Sequence, residues 1–128
     1  MTRPGMSPCG RVARGRRAEQ LAADALSSAG YRLVDRNVYV GGAEIDLIAW
    51  EGDVLCFVEV RARASTRFGT PAATVTATKQ RHLSRAASAW LVDIPAPWPR
   101  CRFDLVAVTG REGDEELTLH RSIFEVAA

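Results

Sequence analysis

Two acids, Asp46 and Glu59, flank a Gly52-Asp53 pair within the stretch from Ala43 to Arg63. A Gly-X pair suits the two-residue turn of a β-hairpin. With that turn the register follows by counting: Glu51 faces Val54, Trp50 faces Leu55, Ile48 faces Phe57 and Asp46 faces Glu59. Residues directly opposed in a hairpin have Cβ atoms about 5 Å apart. Ile48, Trp50, Leu55 and Phe57 share the acids' face, while Ile45, Leu47, Val58 and Val60 fill the other. A hairpin apolar on both faces is buried on both. Two like charges there destabilise the fold unless something positive lies between them. That points to a cation site. Two carboxylates can hold a hard divalent ion such as Mg²⁺ or Mn²⁺ and leave positions for water and a phosphate. The ion would polarise the phosphate and acidify a bound water. A neighbouring cation such as Arg61 would steady the charge developing on phosphorus. The spacing of the two acids is not specific alone; their opposed placement between apolar faces is what raises it.

The elements that must hold these residues can be read outward from the hairpin. From about Arg16 to Ala29, Ala18, Leu21, Ala22, Ala25, Leu26 and Ala29 recur at helical spacing, and Gly30 closes the helix. Glu19 lies at the edge of that stripe, about 100° from Ala18. There it either reaches a neighbouring site or simply complements the helix dipole. Tyr31 to Val40 reads as a strand, with Gly41-Gly42 turning into the hairpin. Residues 64–71 read as a loop, and a second helix starts near Thr76 or Thr78 with the stripe Lys79, Leu83, Ala86, Ala87 and Trp90. Lys79 heads the core-facing side, either aimed at the carboxylates or with its amine snorkelling to water. The proline-rich segment 94–100 excludes a helix or inner strand, and two further strands cover Arg102–Thr109 and Glu116–Phe124. The order αβββαββ predicts an α/β fold, a mixed sheet with helices on its faces.

At 128 residues the chain suffices for one domain, expected over residues 15–128, behind a disordered basic tail at residues 1–14. The net charge of +2 does not by itself call for a nucleic-acid partner, although five arginines crowd the first seventeen residues. Lys79 is the only lysine, so nearly every cation is a guanidinium. Cys9, Cys56 and Cys101 are odd in number, lack metal-ligand spacing and suit reduced thiols in a cytoplasmic protein. No run approaches a transmembrane helix, which excludes that class of membrane protein. His82 and His120 are isolated, and no Ser, His and Asp arrangement suggests a nucleophile triad.

Over residues 15–109 the chain resembles the YraN-type bacterial proteins. They form a largely uncharacterised group in the PD-(D/E)XK, or restriction-endonuclease-like, superfamily, to which archaeal Holliday-junction resolvases are related. The matching text runs Arg17-Ala-Glu-Gln-Leu-Ala-Ala23, Gly30-Tyr31, Arg36-Asn37, Gly42-Ala-Glu-Ile-Asp-Leu-Ile-Ala49 and Val58-Glu-Val-Arg-Ala-Arg63. It continues through Phe68-Gly-Thr-Pro71, Lys79-Gln-Arg81, Trp90-Leu91 and Arg102-Phe-Asp104. The resemblance implies a restriction-endonuclease-like core with Asp46, Glu59 and the carbonyl of Val60 as ligands of Mg²⁺ or Mn²⁺. Glu19 becomes the first-helix acid, Arg61 stands where the signature lysine is expected, and Lys79-Gln80 take auxiliary positions. The junction-cutting relatives act as symmetric dimers, so a homodimer is implied by analogy.

Arg61 is the departure that matters. A guanidinium does not surrender its proton, so Arg61 can orient water or stabilise phosphorus but cannot be a general base. By the hairpin count it also faces Glu44, which offers a plain ion pair instead. Lys79 is then the candidate for the missing amine. Arg63, Arg67 and Phe68, with Gln80 and Arg81, are candidate contacts to a nucleic-acid backbone and bases, either branched or single-stranded. Asp104 either supports the site from behind or pairs with an arginine. Three readings follow: a metal-dependent nuclease acting on DNA, a nucleic-acid-binding domain that lost efficient catalysis, and a structural domain whose acids are neutralised by arginines.

Overall fold

The computed structural model describes the backbone of residues 9–63 and 75–124, with side chains from residue 15 onward. Helix α1 (Cys9–Ser28) leads into strands β1 (Arg32–Val40), β2 (Ala43–Glu51) and β3 (Val54–Arg63). Helix α2 (Ala77–Leu91) follows, then strands β4 (Arg100–Thr109) and β5 (Glu116–Phe124). The order of elements is the expected one. The strands form one sheet in chain order, antiparallel throughout except where β3 runs parallel to β4. A parallel neighbour requires a crossover, and α2 supplies it. The result is a mixed α/β fold of the kind a restriction-endonuclease-like core requires.

The two helices cover opposite faces. Ala18, Ala22, Ala23 and Leu26 of α1 pack on Leu47, Ala49, Cys56, Val58, Val106 and Val108. Leu83, Ala86, Ala87 and Leu91 of α2 pack on Ile45, Ile48, Leu55, Phe57, Phe103, Leu105 and Ala107. With both faces covered, β3 and β4 read as continuous apolar runs rather than alternating ones. Thr76 caps α2, its hydroxyl accepting from the Lys79 N–H at 3.2 Å. At the other helix, α1 begins at Cys9, so residues 9–14, expected in the tail, have helical backbone; residues 1–8 lie outside the described residues. The apolar stripe marks where a helix is buried, not where it begins. Arginine and alanine favour helix strongly enough to carry it past that stripe. Ala25 and Ala29, expected on the stripe, are exposed.

The hairpin register is the counted one as far as it runs: Glu51 pairs with Val54, Trp50 with Leu55, Ile48 with Phe57 and Leu47 with Val58, but the expected Asp46–Glu59 pair is not part of the ladder. The assignment of faces holds from Leu47 onward and breaks before it. Ile45, expected opposite Ile48, packs with Ile48 against α2. The alternation slips at Asp46, where the Val60 N–H donates to the Asp46 carboxylate at 2.8 Å.

Gly41 enters the hairpin with φ +62°, and a Cβ there would lie 3.1 Å from both the Ala86 Cα and the Arg85 carbonyl oxygen of α2. Left-handed backbone and close helix contact together admit only glycine. Gly41→Ala is expected to cost about 2 kcal/mol in urea unfolding, with an unchanged m-value.

Candidate functional site

The slip at Asp46 turns its carboxylate toward β3, where it accepts from the Val60 N–H beyond the last β2–β3 ladder pair. Glu59 lies between Val58 and Val60 in β3 and turns to the α2 side, where it is 6% exposed. There Lys79 Nζ lies 3.6 Å from Glu59 Oε2 and an Arg61 guanidinium nitrogen 3.3 Å from the same oxygen. Arg61 therefore pairs along its own strand with Glu59 rather than with Glu44, because residues two apart in a strand share a face. Lys79 points at the acid, as its position heading the α2 stripe suggested. Asp46, Glu59, Arg61 and Lys79 thus form one cluster.

Asp46 carries the strongest electrostatic signature there. Burial first, then the charge of Glu59, raise its pKa from the ordinary carboxylate range to about 7. The Val60 N–H opposes this, while Glu19 and Glu44 raise it further. Glu19 is likewise raised, chiefly by burial and also by Glu44, while its hydrogen bond to Asn37 lowers it. Four acids from α1, β2 and β3 therefore share one electrostatic neighbourhood. Asp46 and Glu59 are the pair that could hold a hard cation, with the charge of Glu19 felt at Asp46. Among the described residues no three His, Cys, Asp or Glu side chains converge as a ready-made cage.

Of the other expected site residues, Arg63 continues β3; the Nε atoms of Arg61 and Arg63 are shut from solvent with no hydrogen-bond partner among the described residues. Gln80 donates to the Val75 carbonyl at 3.2 Å and Arg81 to the Thr78 hydroxyl at 3.1 Å, so both tie down the start of α2. Arg67 and Phe68 lie outside the described residues.

Asp104 stands apart. It alternates with Phe103 and Leu105 and so turns to the α1 face, fully buried. Arg102 grips it with two bonds, Nε to Oδ1 at 2.8 Å and Nη2 to Oδ2 at 2.9 Å. The Tyr31 hydroxyl donates to it at 3.1 Å and the Ser122 N–H at 3.0 Å. Arg102 also reaches Glu51, which Arg121 holds in turn at 3.0 and 2.7 Å. Arg121, then Arg102, keep the Glu51 carboxyl well below its usual range, at about 2. The alternative that Asp104 pairs with an arginine is the one the geometry supports. Cys56, beside this network, is buried and its thiol is pushed up to about 12, a packing residue rather than a nucleophile.

Sequence reasoning missed the parts played by Glu44 and Asn37. Glu44 read only as a partner for Arg61. Asn37 sits on β1 with φ +54°, and asparagine is among the few residues tolerating that conformation within a strand pattern. That was the available signal.

The sequence pattern of the Uncharacterised protein family UPF0102 matches residues 18–108, spanning Glu19 through β4. The chain belongs to the UPF0102 family. A UPF0102 protein of Symbiobacterium thermophilum is 51% identical over 111 residues, covering 86% of this chain and 94% of the relative. One of Chlorobaculum tepidum is 46% identical over 101 residues, covering 79% and 78%. A third, of an Anaeromyxobacter species, is 44% identical over 115 residues, covering 90% and 86%. The UPF0102 match confirms the YraN-type resemblance and covers every residue of the acid and cation cluster. Among the described residues no helix is long and apolar enough to cross a membrane.

Proposed function

We propose that this UPF0102 protein is a metal-dependent nuclease-like protein acting on DNA phosphodiesters through a Mg²⁺ or Mn²⁺ site at Asp46 and Glu59. The observation that carries this reading is the crowding of acids around Asp46. Its carboxyl is raised to about 7 first by burial and then by Glu59, Glu19 and Glu44, and negative charge buried and crowded in this way costs stability unless a cation offsets it. The donor set is all oxygen, which selects a hard ion, and the carbonyl of Val60 extends it. Bound there, the ion would polarise a phosphate and activate a water.

The chain's own residues do the rest. Arg61 and Lys79, both at the Glu59 carboxylate, supply positive charge beside the phosphate and share its load as negative charge grows. Arg61 cannot take a proton, so Lys79 is the only amine at hand for that role. Arg63, Arg67, Phe68, Gln80 and Arg81 are the proposed DNA contacts, and a homodimer and a cytoplasmic location complete the proposal. A second reading, a DNA-binding domain with weak or no catalysis, is favoured by the placement of Arg61 where a lysine is expected.

The test is a Mn²⁺ titration followed by melting temperature, paired with cleavage of branched and single-stranded DNA. Specific binding at about 100 times Kd should raise stability by about 2.7 kcal/mol, and Asp46→Ala or Glu59→Ala should abolish cleavage. Lys79→Ala should lower the cleavage rate about a hundredfold with Mn²⁺ binding retained. Salt-dependent DNA affinity without any cleavage would select the second reading.

A further inference from the structure

Helix α1 brings Glu19 to the acid cluster, but nothing in the helix itself fixes which way that carboxylate faces. The constraint comes from β1. Arg36↔Leu47 and Val38↔Ile45 bracket Asn37 opposite Asp46 in the β1–β2 ladder. At that position the strand departs from extended geometry, with Asn37 at φ +54°. With its amide nitrogen toward Glu19, Asn37 donates to both carboxylate oxygens, at 2.9 and 3.2 Å. The reverse orientation would set a carbonyl oxygen against a carboxylate, so the donating one is assigned. One residue away, Arg36 donates to the Gln20 amide oxygen at 3.2 Å. Two consecutive residues of β1 thus grip two consecutive residues of α1.

We propose that Asn37 is a positioning residue for the metal site, holding the Glu19 carboxylate toward Asp46 so that Glu19 can order the ion's water shell. The inference rests on the metal-site reading above. A strand interior has no use for a left-handed non-glycine residue on packing grounds; such conformations persist where surrounding structure demands them. Here the kink lets one β1 side chain, directly across from Asp46, turn to the helix. The amide is the right group for the task. It donates to a carboxylate without neutralising it, leaving the site's negative charge intact for a cation. Arg36 supports the same alignment through Gln20 and fixes the rotation of α1 against the sheet.

The test separates backbone from side chain. Asn37→Gly keeps the φ +54° conformation at no steric cost but removes the amide. The protein should remain folded with its Mn²⁺ affinity, read by calorimetry or thermal shift, weakened about tenfold, as for other residues that orient a ligand from behind. In an Glu19→Gln background the same substitution should weaken Mn²⁺ binding no further, because Asn37 acts only through Glu19. Wild-type Mn²⁺ affinity in Asn37→Gly, or an equal loss in both backgrounds, would overturn the proposal. A metal-free double-mutant cycle on the unfolding equilibrium supplies the independent arm. The Asn37→Gly and Glu19→Gln effects should depart from multiplicativity by at least threefold. If wild type binds no Mn²⁺ yet the cycle shows that coupling, the metal reading fails while the Asn37–Glu19 grip stands. Absence of coupling overturns the grip itself.

Discussion

Asp46→Asn is expected to make the metal-free protein more stable at pH 8 while removing its response to Mn²⁺. The folded protein holds the Asp46 proton up to about pH 7, whereas the reference value is 3.8. Between those values the folded state binds more protons than the unfolded one, so this group's contribution to stability falls as pH rises through the window and levels off above it. By pH 8 the ionised carboxylate costs on the order of 2–4 kcal/mol. Asparagine keeps the oxygen that accepts from the Val60 N–H and carries no charge. Urea unfolding of wild type and variant from pH 5 to pH 8 should therefore show curves that diverge with pH, the variant becoming the more stable. Other acids, such as Glu51 with its depressed pKa, run the opposite way at lower pH and cancel in the difference. Wild-type Mn²⁺ affinity should climb as pH rises toward 7, since the ion must displace that proton. Parallel unfolding curves for the two proteins would contradict the crowding of acids on which the metal reading rests.

Asp104→Ala should destabilise the fold by roughly 3–5 kcal/mol. The carboxylate is fully buried and takes four hydrogen bonds, two from Arg102 and one each from Tyr31 and the Ser122 N–H. Removing it strips two of the Arg102 bonds, leaving that guanidinium only Glu51 and the Tyr31 oxygen, and takes the acceptor from a buried hydroxyl and a backbone N–H; a buried donor left unpaired loses more than the bond itself was worth. Asp104→Asn should cost less, since it still offers one acceptor oxygen and Arg102 keeps Glu51 as a counter-charge. The measurement is chemical denaturation of the three proteins at one pH. A loss under 1 kcal/mol for Asp104→Ala would show that water reaches the site readily. Because the network lies on the α1 face, away from Glu59, cleavage per folded molecule should be little changed by Asp104→Asn.

These two acids also show where sequence is informative and where it is silent. Asp46 and Glu59 could be paired on paper because Gly52-Asp53 fixes the hairpin, and a two-residue turn sets every pair along both strands. The count held from the turn to Leu47 and Val58 and failed beyond them, where the Val60 N–H donates to the Asp46 side chain, the Asp46–Glu59 ladder pair does not form and Ile45 changes face. Lys79 was legible as the head of a helical stripe, since helix periodicity states direction as well as burial. Asp104 was legible only as far as an arginine partner, which Arg102, two residues away on the same strand face, supplies. Its other contacts come from α1's exit and β5, and no local pattern says that Tyr31, Glu51 and Arg121 will join them. Asn37 lay between: its residue type hinted at left-handed backbone, but its partner on α1 could only be seen folded.

Both outer strands of the sheet carry a non-glycine residue in left-handed conformation, Asn37 at φ +54° on β1 and Ser122 at φ +55° on β5. In β1 the ladder shifts register between Leu33 and Asp35, and in β4–β5 it shifts between Phe103 and Leu105. Neither rim therefore presents a straight row of amide and carbonyl groups. A further strand arriving from solution finds no continuous template at either side, which is how open sheets resist edge-to-edge growth into fibres. The two bends that serve the acid cluster and the buried carboxylate thus also keep this sheet at five strands. A second copy of the chain would have to meet it through its helices or loops.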